Sequence, residues 1–437
     1  MAGFLMDERW RKRLWFGYLT ALFTWGILVY GWLGGQLLGG TLFARQINGR
    51  PCISDFVNVY NAAILTRQCL TSPVNIYDRQ VQSQSVEKLV APIKPELPFY
   101  LQYPPYFFVI VSPLSLFPLP EAWLAWSAAG LALIVSSLPF LGTSTLTGGF
   151  SRFFFFVSLF AAFPTWLTFE LGQTTFLILP ALAAFFHLAA GGRYFAAGLA
   201  TAIILIKLQY APVVVAVGLI LGRFKYLGGC LAGGAALLAL SVAMLGPANV
   251  LNYPHALLSG ETSQAVSGVS APEMQNLRGF LCLVTGSDGS IVRYVSFAAM
   301  LICAIFTAWL WSAHLAHLKG GNGSVFKVLS SVSVLLMLAF SAHTHVQDYL
   351  LAMIPCLWLW QWAQEASGVS ARARWIKGLI ITLPGLSWIY FMLRPLFAML
   401  FIEPYFLFAL ALSTLSIVEL FHRGGISTKE PPLPDKT

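Results

Sequence analysis

Long apolar runs separated by short polar or basic intervals occupy most of the chain between residues 14 and 421. Runs of roughly 17 to 25 apolar residues are long enough to cross about 30 Å of hydrocarbon as α-helix. On that measure the pattern predicts about twelve spans, at 14–38, 104–118, 120–141, 153–169, 173–190, 195–222, 226–246, 291–316, 325–342, 347–364, 375–393 and 396–421. The runs at 104–118 and 153–169 are short, and a segment bearing proline has the option of re-entering instead of crossing.

Two long polar stretches, 39–103 and 247–290, and the turn Ser341-Ala342-His343-Thr344-His345-Val346-Gln347-Asp348 interrupt this pattern. Alternation of the spans brings all three to one face. Within the first stretch, Phe56, Val59, Tyr60 and Ala63 fall on one helical face, which predicts amphipathic helices lying along the interface. The expected fold is therefore all-α, a polytopic transmembrane helical bundle. It forms a single transmembrane domain over residues 1–437, with large loops at 39–103 and 247–290 and a solvated tail at 422–437.

Composition agrees with lipid as the main solvent. The chain is 57% hydrophobic, 14% aromatic and only 10% charged, with a mean hydropathy of +0.73. Soluble domains carry roughly 25% charged residues. The net charge of +9 comes from lysines and arginines scattered at the ends of apolar runs, so it points to membrane topology and not to nucleic acid. The N-terminal Glu8-Arg9-Trp10-Arg11-Lys12-Arg13 belongs in the cytoplasm by that rule. The even-numbered gaps then place Arg223 and Lys225, Lys319 and Lys327, Arg372, Arg374 and Lys377, and Arg423 and Lys429 on the same side. A multi-pass protein of the inner (plasma) membrane with both termini cytoplasmic follows, and the polar stretches become extracytoplasmic. The first run is too long for the apolar core of a signal peptide and reads as a retained span. The six cysteines include no CxxC pair; Cys52 and Cys69 share a loop and could form a disulfide there, although free thiols are the plainer reading.

Candidate chemistry lies where polar groups meet apolar runs. Asp55 stands at the start of the first loop helix, where a carboxylate either caps the helix or faces a cavity; from the pattern alone the cap is the plainer role. Tyr103-Pro104-Pro105 fixes the start of the following segment. Glu170, Gln173, Lys207, Gln209, His343, His345 and Asp348 lie at or near membrane depth, where ionisable groups face a cavity or a partner. Lys207, placed by the run 195–222 near the middle of a long span, calls for a carboxylate, a set of carbonyls or an anionic ligand such as phosphate. The His343-x-His345 pair with Asp348 nearby has spacing suited to a metal, or else to hydrogen-bonding an anion. Arg278, Glu273 and Asn276 sit in the second loop without a spacing argument. The soluble-enzyme signatures GxxxxGK[ST], GxSxG and HExxH are absent.

Taken in order, Asp55-Phe56-Val57-Asn58-Val59-Tyr60, Tyr103-Pro104-Pro105, Gly172-Gln173 and the segment from Gly198 to Lys207 before Pro212 resemble glycosyltransferase family 87. These are membrane enzymes of the GT-C superfamily, related to polyprenol-phosphate-mannose-dependent α-1,2-mannosyltransferases. The resemblance runs from about residue 14 to residue 360. It implies a GT-C-like fold, a polyprenyl-phosphate sugar as donor and a hydroxyl on a glycolipid or glycan as acceptor, with inversion at the sugar. It also implies that Asp55 is the catalytic base, with Lys207, His343, His345, Gln173, Tyr103 and Arg278 as donor-phosphate or substrate-binding residues. No cofactor is expected, with a divalent metal left open. The family's late Ser-Pro-His turn reads Ser341-Ala342-His343 here, which leaves open which histidine matters.

Two difficulties accompany this reading. Span counting puts Gln173 near the cytoplasmic side, far from Asp55, unless the segment containing Pro164 is broken and its end dips inward. A transporter or lipid flippase is the rival class, since many spans with cavity-facing ions suit transport as well. The absence of matching halves and the gathering of polar residues toward one side favour an enzyme.

Overall fold

The computed structural model describes residues 8–47, 50–95, 100–143, 149–262, 273–366 and 370–424. Its helices in chain order are α1 (Glu8–Leu38), α2 (Phe56–Cys69), α3 (Arg79–Val90), α4 (Pro105–Val111), α5 (Leu119–Ser137), α6 (Gly149–Ala161), α7 (Phe163–Glu170), α8 (Thr175–Ala190) and α9 (Tyr194–Ile204). They continue with α10 (Ala211–Leu245), α11 (Pro247–Thr262), α12 (Leu277–Thr285), α13 (Ser290–Ala313), α14 (Leu315–Lys319), α15 (Gly323–Phe340), α16 (Met353–Ala366), α17 (Ala371–Met399) and α18 (Pro404–Gly424). Between α1 and α2 a two-stranded antiparallel hairpin, β1 (Ala44–Ile47) and β2 (Arg50–Ile53), pairs Ala44 with Ile53 and Ile47 with Arg50. Seven of the described helices are long and apolar enough to cross a membrane, eight if the bent pair α6 and α7 forms one span. The protein is an all-α polytopic bundle that crosses the membrane many times.

Several elements differ from the sequence pattern, each for a physical reason. The run 104–118 does not behave as a span. Its α-helical part α4 has seven residues, a rise of about 10 Å, and the 3-10 turn Ser112–Leu116 follows it directly. Both ends rest on α2: the Thr66 hydroxyl donates to the Phe108 carbonyl at 3.1 Å, Tyr60 to that of Phe117 at 2.7 Å, and Arg67 to that of Ser115 at 3.1 Å. This cover also corrects the expectation for α2. Phe56, Val57, Val59, Tyr60, Ala62, Ala63 and Leu65 are all buried, so protein covers α2 on more than the single apolar face read from the sequence. The amphipathic expectation is met instead by α3, which buries Gln82, Val86 and Val90 on one face.

The run 195–222 is two helices pointing opposite ways. α9 stops at Ile204, Lys207 adopts an extended φ of −112° and ψ of 91°, and α10 restarts with Pro212 in its first turn, a position that costs no hydrogen bond. α10 then reverses at Arg223, whose φ of 43° and ψ of −123° interrupt the helix. Close packing makes this possible: a Cβ on Gly229 would fall 2.0 Å from the Phe195 carbonyl oxygen, and one on Gly198 would fall 2.2 Å from that of Tyr226. Only glycine permits such an approach. Lys207 consequently sits at an end of the bundle, not in the middle of a span.

The segment containing Pro164 is broken, with a bend of 49° between α6 and α7. Proline removes an N–H and displaces the preceding turn. Neighbouring side chains satisfy the freed groups: Ser387 Oγ accepts from the Phe163 N–H at 3.0 Å, and Trp388 Nε1 donates to the Ala161 carbonyl at 2.5 Å. The end of α7 thereby reaches the same end of the bundle as the hairpin and α2. There Trp123 and Trp126 donate to the Phe169 and Gly172 carbonyls at 3.1 and 2.8 Å, and Ser54 donates to that of Glu170 at 3.2 Å, filling the acceptors that every helix terminus leaves open.

Basic residues collect at the other end. Arg223 lies at the reversal of α10, Lys327 donates to Gln361 at 3.1 Å, and Arg372 pairs with Glu419 at 3.1 Å. Lys429, counted with them from sequence, lies outside the described residues, as does the tail beyond residue 424. Cys52 and Cys69 are free thiols.

Candidate active site

At the end carrying the hairpin, the loops enclose a cavity of about 1220 Å³. Small-ligand sites occupy roughly 300–1,000 Å³, so this one has room for more than one small molecule. Asp55, Tyr103, Gln173, Lys207, Arg278, His343 and His345 all line it. These are the residues singled out from sequence, drawn from six separate segments of the chain.

Asp55 occupies the N-cap position of α2, yet its side chain makes no cap hydrogen bond. The capping aspartate of this loop is Asp78, which accepts from the Gln80 and Val81 N–H groups at 2.8 and 3.0 Å. Asp55 is instead held by Gln173, whose Nε2 donates to Oδ2 at 2.5 Å. The turn after α7 makes this contact possible. Gly172 has a φ of +59°, and a Cβ there would fall 2.5 Å from the Phe56 ring. Glycine therefore lets Phe56 seat directly on the turn, which sets the neighbouring Asp55 against Gln173. The apparent conflict between Gln173 and Asp55 is resolved by the bend at Pro164.

Burial pushes the Asp55 carboxyl up to about 6, reinforced by the negative charge of Glu273 and opposed by the Gln173 hydrogen bond and the Lys207 charge. It remains an anion at neutral pH, but one whose proton affinity is matched to that pH.

Lys207 pairs with Asp348. Asp348 also accepts from Thr175 Oγ1 at 3.1 Å and from the His345 backbone N–H at 3.1 Å. This ties the break after α9 to the turn after α15 and to the start of α8. Arg278 makes a two-pronged pair with Asp288, Nε to Oδ1 at 2.9 Å and Nη2 to Oδ2 at 2.8 Å. Its Nη1 lies 3.4 Å from both ring nitrogens of His343 and 3.4 Å from the Ala342 carbonyl. Burial depresses His345 to about 4, so its imidazole is neutral and offers a hydrogen bond instead of a charge. The Tyr103 hydroxyl lies 3.2 Å from Thr174 Oγ1. Asn276 turns inward, capping α12 through the Gly279 N–H at 3.0 Å and donating to the Ser341 carbonyl at 2.8 Å, and is structural. Among the described residues no three His, Cys, Asp or Glu side chains are grouped to hold a metal ion. The spacing of His343, His345 and Asp348 thus does not produce a metal-binding cluster.

Comparison with known protein families matches residues 100–342 to glycosyltransferase family 87. The chain belongs to that family. It is therefore a membrane glycosyltransferase, and the transporter reading gives way. No curated protein and no solved structure matches the chain. The matched region of the glycosyltransferase contains Tyr103, Gln173, Lys207 and Arg278, while Asp55, His343 and His345 fall outside it. Asp55 is joined to the matched region by the hydrogen bond from Gln173.

The cavity of the glycosyltransferase also brings in residues that sequence reasoning passed over. Asn58, Arg293, Tyr390 and Arg394 line it. Asn58 follows Asp55 by three positions, one helical turn, and that spacing was the available signal. Arg293 and Arg394 looked like ordinary cations flanking apolar runs. Part of the wall is apolar, with Leu258, Tyr294 and Phe297 reaching it while exposed by 69%, 74% and 54%. These exposed side chains give one side of the cavity an apolar rim.

Proposed function

We propose that this glycosyltransferase moves a hexose of the mannose type from a polyprenyl-phosphate carrier to an acceptor hydroxyl on a glycolipid or glycan, with inversion. The observation that carries this reading is Asp55. It is a carboxylate facing a large cavity, held by a neutral amide, raised toward neutrality by burial, and placed beside cationic groups and an apolar wall.

In the proposed reaction the acceptor oxygen forms a bond to the anomeric carbon as the bond from that carbon to the phosphate oxygen breaks. The hydroxyl proton passes to Asp55, and the electron pair of the broken bond leaves with polyprenyl phosphate. A base whose proton affinity lies near the working pH suits this transfer. Negative charge grows on the departing phosphate, so donors fixed in advance around it lower the barrier. Lys207, Arg278, His343, His345 and Tyr103 are the proposed donors. Asp348 and Asp288 hold the two cations in place, and neutral His345 supplies an N–H. The apolar wall takes the first isoprenoid units. With the basic end of the bundle in the cytoplasm, the cavity faces the extracytoplasmic side of the plasma membrane and both termini lie inside.

The test is Asp55→Asn in purified protein given a polyprenyl-phosphate hexose and a panel of envelope glycolipids, with product read by mass spectrometry. Loss of transfer with retained binding of polyprenyl phosphate supports the role of the base. Transfer near the wild-type rate would remove Asp55 from the mechanism.

A further inference from the structure

Three of the ion pairs with a member on the cavity wall differ in access. Lys207 and Asp348 are 8% and 2% exposed, and Arg278 and Asp288 are 5% and 4% exposed. The third pair, Arg394 with Glu273 at 2.7 Å, is 46% and 50% exposed while both residues line the cavity. The first two are enclosed by protein. The third presents an anion and a cation side by side to whatever enters.

Local chain geometry delivers this pair to the cavity. α17 is interrupted at Leu393, with φ of −107° and ψ of 17°, immediately before Arg394 and Pro395. Proline at 395 removes the hydrogen bond that would return to the Phe391 carbonyl and opens the turn there. Next to the pair, the Tyr390 hydroxyl accepts from Gln275 Nε2 at 2.8 Å, and the half-exposed Phe391 packs against Phe163 with ring centroids 4.6 Å apart. Both aromatic residues line the cavity.

The chemistry of the pair selects a class of ligand. A phosphate is repelled by Glu273, and an amine is repelled by Arg394. A neutral polyol satisfies both groups, since a carboxylate accepts from hydroxyls and a guanidinium donates to them. An aromatic face beside them suits the C–H face of a sugar ring. We propose that Glu273, Arg394 and Phe391 form the subsite that binds the sugar of the acceptor and presents its hydroxyl to Asp55. This rests on the reading of the cavity as the transfer site and adds where the acceptor sits. The field of Glu273 reaches Asp55, which fits a position beside the base.

The test compares Glu273→Gln, Arg394→Ala and Asp55→Asn in full-length purified protein. The donor is a polyprenyl-phosphate mannose, and octyl α-mannoside below its micelle concentration is the acceptor probe. Glu273→Gln and Arg394→Ala are each expected to raise the acceptor KM about tenfold, with the donor KM within twofold of wild type. Glu273→Gln also moves the acidic limb of the rate toward lower pH, because the charged and titratable groups left around Asp55 are Lys207, Glu170 and Tyr103. Protection by polyprenyl phosphate against thermal unfolding, unchanged in both variants, establishes that they are folded. An acceptor KM unaltered in Glu273→Gln, or a donor KM rising in equal proportion, overturns the subsite. Transfer by Asp55→Asn overturns the reading of the cavity instead, so the two failures are distinct.

Discussion

Asp55 and Asp348 share one cavity and have opposite surroundings. Asp348 has its charge matched by Lys207 and its oxygens bonded by Thr175 and the His345 backbone. Among the described residues, the Asp55 carboxylate is bonded by the neutral amide of Gln173 and has an acidic neighbour in Glu273. A carboxylate whose charge is compensated holds structure together; one that is buried without a cation at contact distance takes up a proton readily. Environments that separate two carboxylates in this way assign their roles. Asp348 fastens three segments, and the surroundings of Asp55 are those that the proposed base requires.

The comparison breaks most visibly if the two residues respond alike to loss of charge. Asp55→Asn is expected to lower kcat about 10³-fold, within the range for a positioned base, while its melting temperature stays at or above that of wild type. The sign follows from the raised pKa: burial penalises the anion, so that penalty is absent below the unfolded value near 3.8, grows as pH rises to about 6, and is full above it. Removing the charge at pH 7.5 relieves it. Thermal unfolding at pH 7.5 and at pH 4 checks this, with any gain in stability confined to the higher pH. Asp348→Asn is expected to do the reverse. Lys207 is left buried without its counter-charge, a loss of about 3–5 kcal/mol, seen as a lower melting temperature and a poorer yield of folded protein. Equal destabilisation by both substitutions would erase the distinction.

A finer test changes only the partner of Asp55. Gln173→Ala removes a hydrogen bond to a charged group, worth about 1.5–3 kcal/mol, and is expected to reduce kcat about tenfold at neutral pH and to lower the melting temperature by less than Asp348→Asn does. Steady-state transfer assays at saturating donor and acceptor provide the check.

Much of the architecture was readable from sequence because apolar length and basic flanks are one-dimensional signals. The long helices α1, α13, α15 and α17 follow their runs closely. What could not be read was whether a run of about a dozen apolar residues covers lipid or covers protein. The segment at 104–118 packs on α2, and the run 195–222 folds back at Lys207, yet both carry the composition of a span. The same ambiguity hid the wider cover of α2, which comes from a segment taken for a crossing. At the site, Asp55, Tyr103, Gln173, Lys207, Arg278, His343 and His345 were identified through the family resemblance or through polarity at membrane depth. The partners of the cations were not, because Lys207 and Asp348 are 141 positions apart, and no local pattern links them. Arg394 was missed for a different reason: a cation beside an apolar run signals topology first, and only the kink before Pro395 turns it toward the cavity.

The most direct measurement of the role given to Asp55 is the pH dependence of kcat/KM between pH 4.5 and 8, with donor and acceptor below saturation, in wild type and in Gln173→Ala. With an unprotonated carboxylate as the base, log(kcat/KM) is expected to rise with unit slope and level off above about pH 6. The Gln173 hydrogen bond favours the anion, so its loss is expected to move that limb to higher pH. A rate independent of pH across this range, or a limb that stays in place when Gln173 is removed, would contradict the assignment of Asp55 as the base.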